Sequence, residues 1–351
     1  MKIILTEQDI INTYDKRQQK QCRLYYQYLD IKSQNPSWGY KKIAKIMLQS
    51  YSKTRWWHAG KCIPYPIQTV NWLKEKGLLP LKINHPKLPL IAKVLGATFG
   101  DGGTFGNLNG IFLSSSEKEA VEEFGRDLEK IFNLKLNENS RVIEGGEKGH
   151  SWCYQNTNRN IIRIFLALGV PKGNKTNLEL KIPNWISLNK NLEDEFFGSI
   201  FGGELGTPII HQTGNHLTNL ELGITGKSEF EKNRYEFLNR VSSYLNKKKV
   251  LSTSIYKRKL NNDSIIFRLQ ICKKFDNVLY FMMNIKINYC KYKIDRLYKA
   301  LGPWAKLKKE KYYELIERGY GAESAMKLLN LTPNSLYLLL NHFGNKEKIA
   351  L

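Results

Sequence analysis

Apolar residues recur at helical spacing through most of the first 85 positions. Within "WGYKKIAKIMLQSYSKTRWWHAGK" the pattern breaks near Gln49–Ser50, which predicts two short helices, the second basic and aromatic. "PYPIQTVNWLKEKGLLP" predicts another, opened by Pro66 and closed by Gly77. Together they look like a helix-turn-helix module, and "LKINHPKLP" (81–89), with two prolines, reads as a linker. From Leu90 the texture changes. A helix over about 89–101 precedes a hairpin-like pair around "GTFGNLNGIFLSSS" and an amphipathic helix "SEKEAVEEFGRDLEKIFN" capped by Ser116. Strands near 136–144 and 150–157 and a helix "NIIRIFLALG" ending at Gly169 complete the unit.

After "VPKGNKTN" and "KIPNWISLN" the order starts again. A helix is expected over 192–204, strands over 207–213 and 217–225, a helix over 227–246, strands over 250–259 and 264–271, and a helix over 274–285. This is one αββαββα unit written twice, too long a period for a solenoid, so a duplicated small domain is expected. The fold class is therefore α+β, with two pseudo-symmetric repeats (86–190 and 191–300) between helical modules at 1–85 and 301–351. In the last module, "ESAMKLLNLTPNSLYLLLNHFG" has helix-turn-helix spacing, with Asn330 at the turn and Thr332 as cap. Its second helix carries few basic side chains, so it either packs on the protein or touches DNA.

Charge narrows the partners. Lys and Arg number 55 against 32 Asp and Glu, a net +23 over 351 residues, which points to a polyanion and first to nucleic acid. Alternating strand residues such as Ser252, Ser254, Tyr256 and Arg258 form a polar sheet face of the kind that DNA can use. Candidate DNA contacts are Asn139, Arg141, Tyr256, Arg258 and Arg268 on the sheets, Lys172 and Lys175 on the connecting loop, and Lys53 and Arg55 on the basic helix. The five cysteines are widely spaced with no C-x-x-C pair, which argues for reduced thiols and against a zinc ribbon or a disulfide scaffold. With no membrane-length apolar run or signal-peptide h-region, a soluble intracellular protein is expected.

The helices that open the two repeats carry the chemistry. They read "LIAKVLGATFGDGGT" and "EFFGSIFGGELGT", both ending on Gly-acid-x-Gly-Thr: Gly100-Asp101-Gly102-Gly103-Thr104 and Gly203-Glu204-Leu205-Gly206-Thr207. Gly96 and Gly100, like Gly198 and Gly202, are four apart and leave a bare stripe along each helix. Such stripes let two helices pair closely, and in parallel pairing Asp101 and Glu204 arrive together. Two like charges at helix C-termini are unfavourable on both counts, so a cation is expected between them. All-oxygen ligands favour Mg²⁺, with Mn²⁺ able to substitute. Carboxylates, divalent metal and a basic surface together suit phosphodiester hydrolysis.

These two helices resemble the paired signature motifs of the LAGLIDADG homing endonucleases in their single-chain form, with "VLGATFGDG" and "FGSIFGGEL" in the nine motif positions. The repeat order and the connector "LGVPKGNKTN…IPNWI" are similar to that family over about residues 88–300. The resemblance implies that Asp101 and Glu204 are catalytic metal-binding acids and that the carbonyls of Gly100 and Gly203 complete the metal shell. It implies a saddle of two four-stranded sheets over a long DNA site, and an auxiliary group near the last strand, for which Gln270, Lys273 and Lys274 are the candidates. Here Phe99 and Gly202 hold the often acidic sixth position, Ser199 replaces a glycine, and Leu205 leaves the tight turn to Gly206.

The expectation is a monomeric, Mg²⁺-dependent endonuclease that cuts double-stranded DNA at a long asymmetric site. The alternatives are a catalytically inactive DNA-binding regulator and a maturase that binds intron RNA. Loss of an acid would mark the regulator, and both acids are present.

Overall fold

The computed structural model describes residues 2–135, 137–145, 150–206, 209–210, 217–218, 220–260 and 263–343. Its fold class is α+β, with antiparallel sheets.

The first repeat is built around the helix Leu88–Phe99, which is buried on nearly every side as its apolar sequence requires. The chain leaves its foot into Gly102–Thr104, which begins a four-stranded sheet. Ile111–Ser115 follows in space, then Ser151–Asn156, then the edge strand Ser140–Gly145. The helix Lys118–Phe132 covers the inner face of this sheet. A glycine in its middle, Gly125, is explained by Tyr154, whose ring would lie 2.4 Å from an added Cβ. The helix Arg159–Leu168 ends on Gly169, whose φ of +105° supplies the left-handed cap. The αββαββα order is thus as read from the sequence, although Leu136, the expected start of one strand, lies outside the described residues.

The second repeat opens with the helix Lys190–Glu204. Its main sheet has three strands among the described residues, in the order Tyr256–Lys259, Ser264–Gln270 and Glu221–Lys227. A separate ribbon pairs Ile209–Ile210 with Leu217–Thr218. The expected strand 217–225 is therefore two pieces, and Thr207 with most of the expected strand 207–213 lies outside the described residues. The expected strand 250–259 also shortens to Tyr256–Lys259. The Asn277 side chain accepts from the Leu251 N–H at 2.6 Å and donates to its carbonyl at 2.9 Å, while the backbone at 251–253 is joined to the next strand by a Ser252–Ile271 bridge, with Thr253 N–H donating to the Gln270 carbonyl and Cys272 N–H to that of Leu251. A second four-stranded sheet is accordingly not formed among the described residues.

The helical modules pack on the repeats. Residues 81–89 are not a free linker: Leu81–Lys82 pairs with Ile3–Leu5, Leu81 is fully buried, and Lys87 Nζ donates to the Ile131 carbonyl at 2.7 Å. Thr69 donates to Asn160 at 2.6 Å, the Arg163 guanidinium lies 3.8 Å from the Tyr14 ring centroid, and Trp72 stacks on Phe132. At the other end one helix, Lys291–Glu317, runs without interruption through residues 300 and 301. Asn330 takes a φ of 52° at the final turn, and the Thr332 hydroxyl caps Pro333–Leu338. That short helix packs on Phe275–Asn284, with Thr332 N–H donating to Asp276 and Asn334 to Tyr280. No helix among the described residues is long and apolar enough to cross a membrane.

Candidate active site at the feet of two parallel helices

Leu88–Phe99 and Lys190–Glu204 lie side by side and run the same way, since Gly96 faces Phe196 and Gly100 faces Gly203. A Cβ on Gly96 would stand 2.1 Å from the Phe196 carbonyl oxygen, and one on Gly203 would stand 2.9 Å from the Asp101 nitrogen. No side chain fits between backbones this close. The glycines of the second helix divide the work differently from the expected stripe. Gly198 and Gly202 face away from the first helix, against the chain at Lys286–Asn288, where a Cβ on Gly202 would meet the Asn288 carbonyl at 1.8 Å. Ser199 belongs to that same face, accepting from the Asn288 amide at 3.2 Å.

The pairing brings both acids to one end. Asp101 is exposed and Glu204 half-buried. Burial pushes the Glu204 carboxyl up to about 7, and the negative charge of Asp101 pushes in the same direction. Lys175 and Lys293 oppose it. Leu205, the residue after the second acid, is buried with a φ of −66°, so the chain turns there without a left-handed residue. Its bridge to Leu222 and the Gly206 N–H bond to the Glu221 carbonyl (2.8 Å) tie the turn to the second sheet.

Two lysines, one late in each repeat, sit under the helix ends. Lys175 Nζ donates to the Gly100 carbonyl, to Gly102 at 3.0 Å and more distantly to Thr98. Lys293 Nζ donates to the carbonyls of Gly202 at 2.6 Å and Gly203 at 2.5 Å. Each cation thus satisfies carbonyls that a helix C-terminus leaves open, and each sits at the negative end of the helix dipole. Burial lowers the pKa of both lysines, while Glu204 and Asp101 act against that lowering. Lys175, expected as a DNA contact, is half-buried with its ammonium group directed at these carbonyls. The Gly100 and Gly203 carbonyls, expected to hold metal, are engaged by ammonium groups. Lys293 escaped the sequence reading; its signal was a lysine late in the second repeat, as Lys175 is late in the first.

Lys175 is itself held from the other repeat. Arg234, fully buried on the helix Glu231–Lys247, donates to the carbonyls of Lys175 (2.7 Å), Leu178 (2.9 Å) and Thr225 (3.2 Å). Gly226 makes room for it, since a Cβ there would lie 2.6 Å from the Arg234 Nε.

The remaining candidates fall elsewhere. Tyr256, Arg268 and Gln270 share the open face of the second sheet, but all three converge on Glu221, a residue the sequence reading missed. Burial pushes the Glu221 carboxyl up, yet the bonds from Tyr256 and Gln270 and the Arg268 charge prevail and lower it. Gln270 thereby adjoins the turn after Glu204. Lys273 and Lys274 lie at the start of Phe275–Asn284 and are not among the groups whose charge reaches Glu204. Arg258 is exposed on an edge strand. Arg141 crosses the open face of the first sheet to Gln155 at 3.1 Å, whereas Asn139 is an exposed turn residue at φ 55°, just before that strand. Lys172 and Arg55 are exposed, and Lys53 is half-buried.

No family model matches the chain. Among curated proteins it is similar to the tRNA-splicing ligase RtcB of Pyrococcus abyssi, 29% identical over 231 residues, covering 63% of this chain and 24% of that protein. It is also similar to two proteins of Methanocaldococcus jannaschii. One is the DNA-directed RNA polymerase subunit Rpo1N, 32% identical over 187 residues, 49% of this chain and 14% of that one. The other is the replication factor C small subunit, 26% identical over 274 residues, 76% of this chain and 14% of that one. The chain therefore spans about a quarter or less of the length of each of these relatives. Among solved structures it is similar to I-DmoI in complex with its target DNA, with a TM-score of 0.37 and 14% identity, over 57% of this chain and 97% of that one.

Proposed function

We propose that the chain is a divalent-metal-dependent endonuclease that cuts double-stranded DNA at a long asymmetric site, in the manner of a single-chain homing endonuclease. The observation that carries this reading is the convergence of Asp101 and Glu204 at the feet of two parallel helices in glycine-to-backbone contact. The donor set fits Mg²⁺ or Mn²⁺. No cluster of three His, Cys, Asp or Glu residues forms among the described residues, and Mg²⁺ is commonly held by one or two carboxylates while substrate phosphate and water complete its shell. When bound, such a cation supplies positive charge to the scissile phosphate and to the attacking water.

The chain's own residues divide the remaining tasks. Asp101 and Glu204 hold the cation and fix its place against the DNA backbone. Lys175 and Lys293 place positive charge at the helix ends and oppose the upward push on the Glu204 carboxyl. The open faces of the two sheets, with Arg141, Arg258 and their neighbours, bring positive charge and hydrogen-bonding groups to the duplex. Two unequal halves make the preferred site asymmetric, and one acid from each half suits one cut per strand.

The relatives support a travelling element in particular. A ligase, a polymerase subunit and a replication factor subunit share a stretch that makes up a small part of each. One shared stretch is a poor source for three such different activities, and it fits a module carried inside unrelated hosts. A host gene lacking the module, joined at the module's boundaries, is then the candidate target.

The test is a plasmid bearing that joined sequence. The protein should linearise it with Mg²⁺ and only bind it in EDTA, and Asp101→Asn should abolish cutting while leaving binding intact. Undiminished cutting by the Asp101→Asn protein would remove Asp101 from the mechanism.

A further inference from the structure

The amino-terminal module holds a second candidate site, well apart in sequence from the two acids. A groove of about 520 Å³ runs between the helices Lys16–Gln34, Tyr51–His58 and Tyr65–Glu75 and is lined by Gln18, Lys53, Trp56, Trp57, Tyr65 and Gln68. Its aromatic residues are of two kinds. Trp57 is 4% exposed and packs edge-on to Tyr25 as ordinary core. Trp56, its neighbour in the chain, is 46% exposed, and Tyr65 is 63% exposed. Folding has no use for large rings left in water.

Among the described residues, the cations beside these rings form no ion pair. Lys53 Nζ stands 4.7 Å from the Trp57 ring centroid, and its hydrogen-bond partner is the neutral Gln49. Lys61 Nζ stands 5.7 Å from the Trp56 centroid. Residues 1–85 carry 15 Lys and Arg against 5 Asp and Glu, and the ion pair formed among the described ones is Lys74–Glu7, outside the groove lining. Burial and the nearby Lys20 charge both lower the Lys53 pKa, as befits a cation held without an anion.

We propose that this groove binds unpaired nucleotides, with bases stacked on Trp56 and Tyr65 and phosphates drawn to Lys53 and Lys61. Exposed ring faces and unneutralised ammonium groups are complementary to the two halves of a nucleotide. A duplex presents base edges in its grooves and hides base faces within the stack, so it cannot use the rings in this way. The Gln18 amide can meet a base edge, which would add preference without a strict sequence requirement. The inference shares with the proposed function a nucleic-acid partner and does not depend on cleavage.

The test is fluorescence anisotropy on the full chain in EDTA, where cutting is not read. Labelled oligo(dT), oligo(U) and a duplex of equal length serve as probes. Trp56→Ala and Tyr65→Ala should each weaken single-strand binding about tenfold and leave duplex binding unchanged. Trp56→Phe, which keeps a ring, should restore most of the loss. Lys53→Met should lower the salt dependence of single-strand binding by about 0.7 in the log–log slope. Tighter binding of oligo(U) supports the site with RNA as its source, and tighter binding of oligo(dT) supports it with DNA. Parental oligo(dT) and oligo(U) affinity in the Trp56→Ala, Tyr65→Ala double variant overturns the proposal, as does an equal loss for the duplex. Loss of cleavage at Asp101 bears on the proposed function alone.

Discussion

Glu204→Gln should make the metal-free protein more stable at pH 8. The Glu204 carboxyl is pushed from its ordinary 4.5 to about 7 by burial, reinforced by the Asp101 charge. The folded chain therefore holds this proton more tightly than the unfolded chain does. Its stabilising contribution is complete below pH 4.5 and is lost as pH rises toward 7, at up to about 1.4 kcal/mol per pH unit. Above pH 7 the accumulated loss is about 3 kcal/mol. Glutamine has nearly the shape of the protonated acid and carries no charge, so it avoids that loss. Urea unfolding followed by tryptophan fluorescence should show the variant about 3 kcal/mol more stable at pH 8 in EDTA, with no advantage at pH 4. Added Mg²⁺ should raise the stability of the parent and not of the variant, narrowing the gap. An advantage of the same size at both pH values, or none at pH 8, would refute the argument that Glu204 is forced to ionise against its surroundings.

Four further outcomes follow from the structure. Gly96→Ala places a Cβ 2.1 Å from the Phe196 carbonyl, so urea melts should show a loss of about 3 kcal/mol as the motif helices are forced apart. Gly106→Ala, where nothing lies within 4 Å, should stay within about 0.5 kcal/mol. Arg234→Met leaves the carbonyls of Lys175, Leu178 and Thr225 without their donor, which should cost about 3–5 kcal/mol and speed protease cleavage of residues 170–189. Lys175→Met removes a positive charge that holds the Glu204 carboxyl down, so the pH profile of Mg²⁺-dependent cutting should move to higher pH. An unmoved profile would show that Lys175 serves the backbone alone.

Much of the architecture was legible because it rests on local rules. Periodicity located the αββαββα order of the first unit, the break at Gln49–Ser50, the Gly169 stop and the Thr332 cap, since each depends on residues a few positions apart. Paired glycines ahead of two acids pointed to helices in close contact, because so many unfavourable helix residues need a reason in packing. The direction each glycine faces was not legible. Gly198 and Gly202 make the same i,i+4 stripe as Gly96 and Gly100, yet they meet Lys286–Asn288 and not the other motif helix. The second sheet was misread for a similar reason, since Ile209–Ile210 pairs with Leu217–Thr218 as a separate ribbon and does not join the sheet of Glu221–Lys227.

The sequence by itself determined the excess positive charge and the two glycine-rich stretches that each end on an acid, which are properties of composition and short spacing. Only the tertiary structure decided what surrounds those acids. Lys175 and Lys293 lie 74 and 89 residues beyond Asp101 and Glu204, and Arg234 reaches Lys175 from the opposite repeat. Electrostatic compensation at a helix end depends on distance in space, and a charge that far along the chain reveals its partner only once the chain has folded.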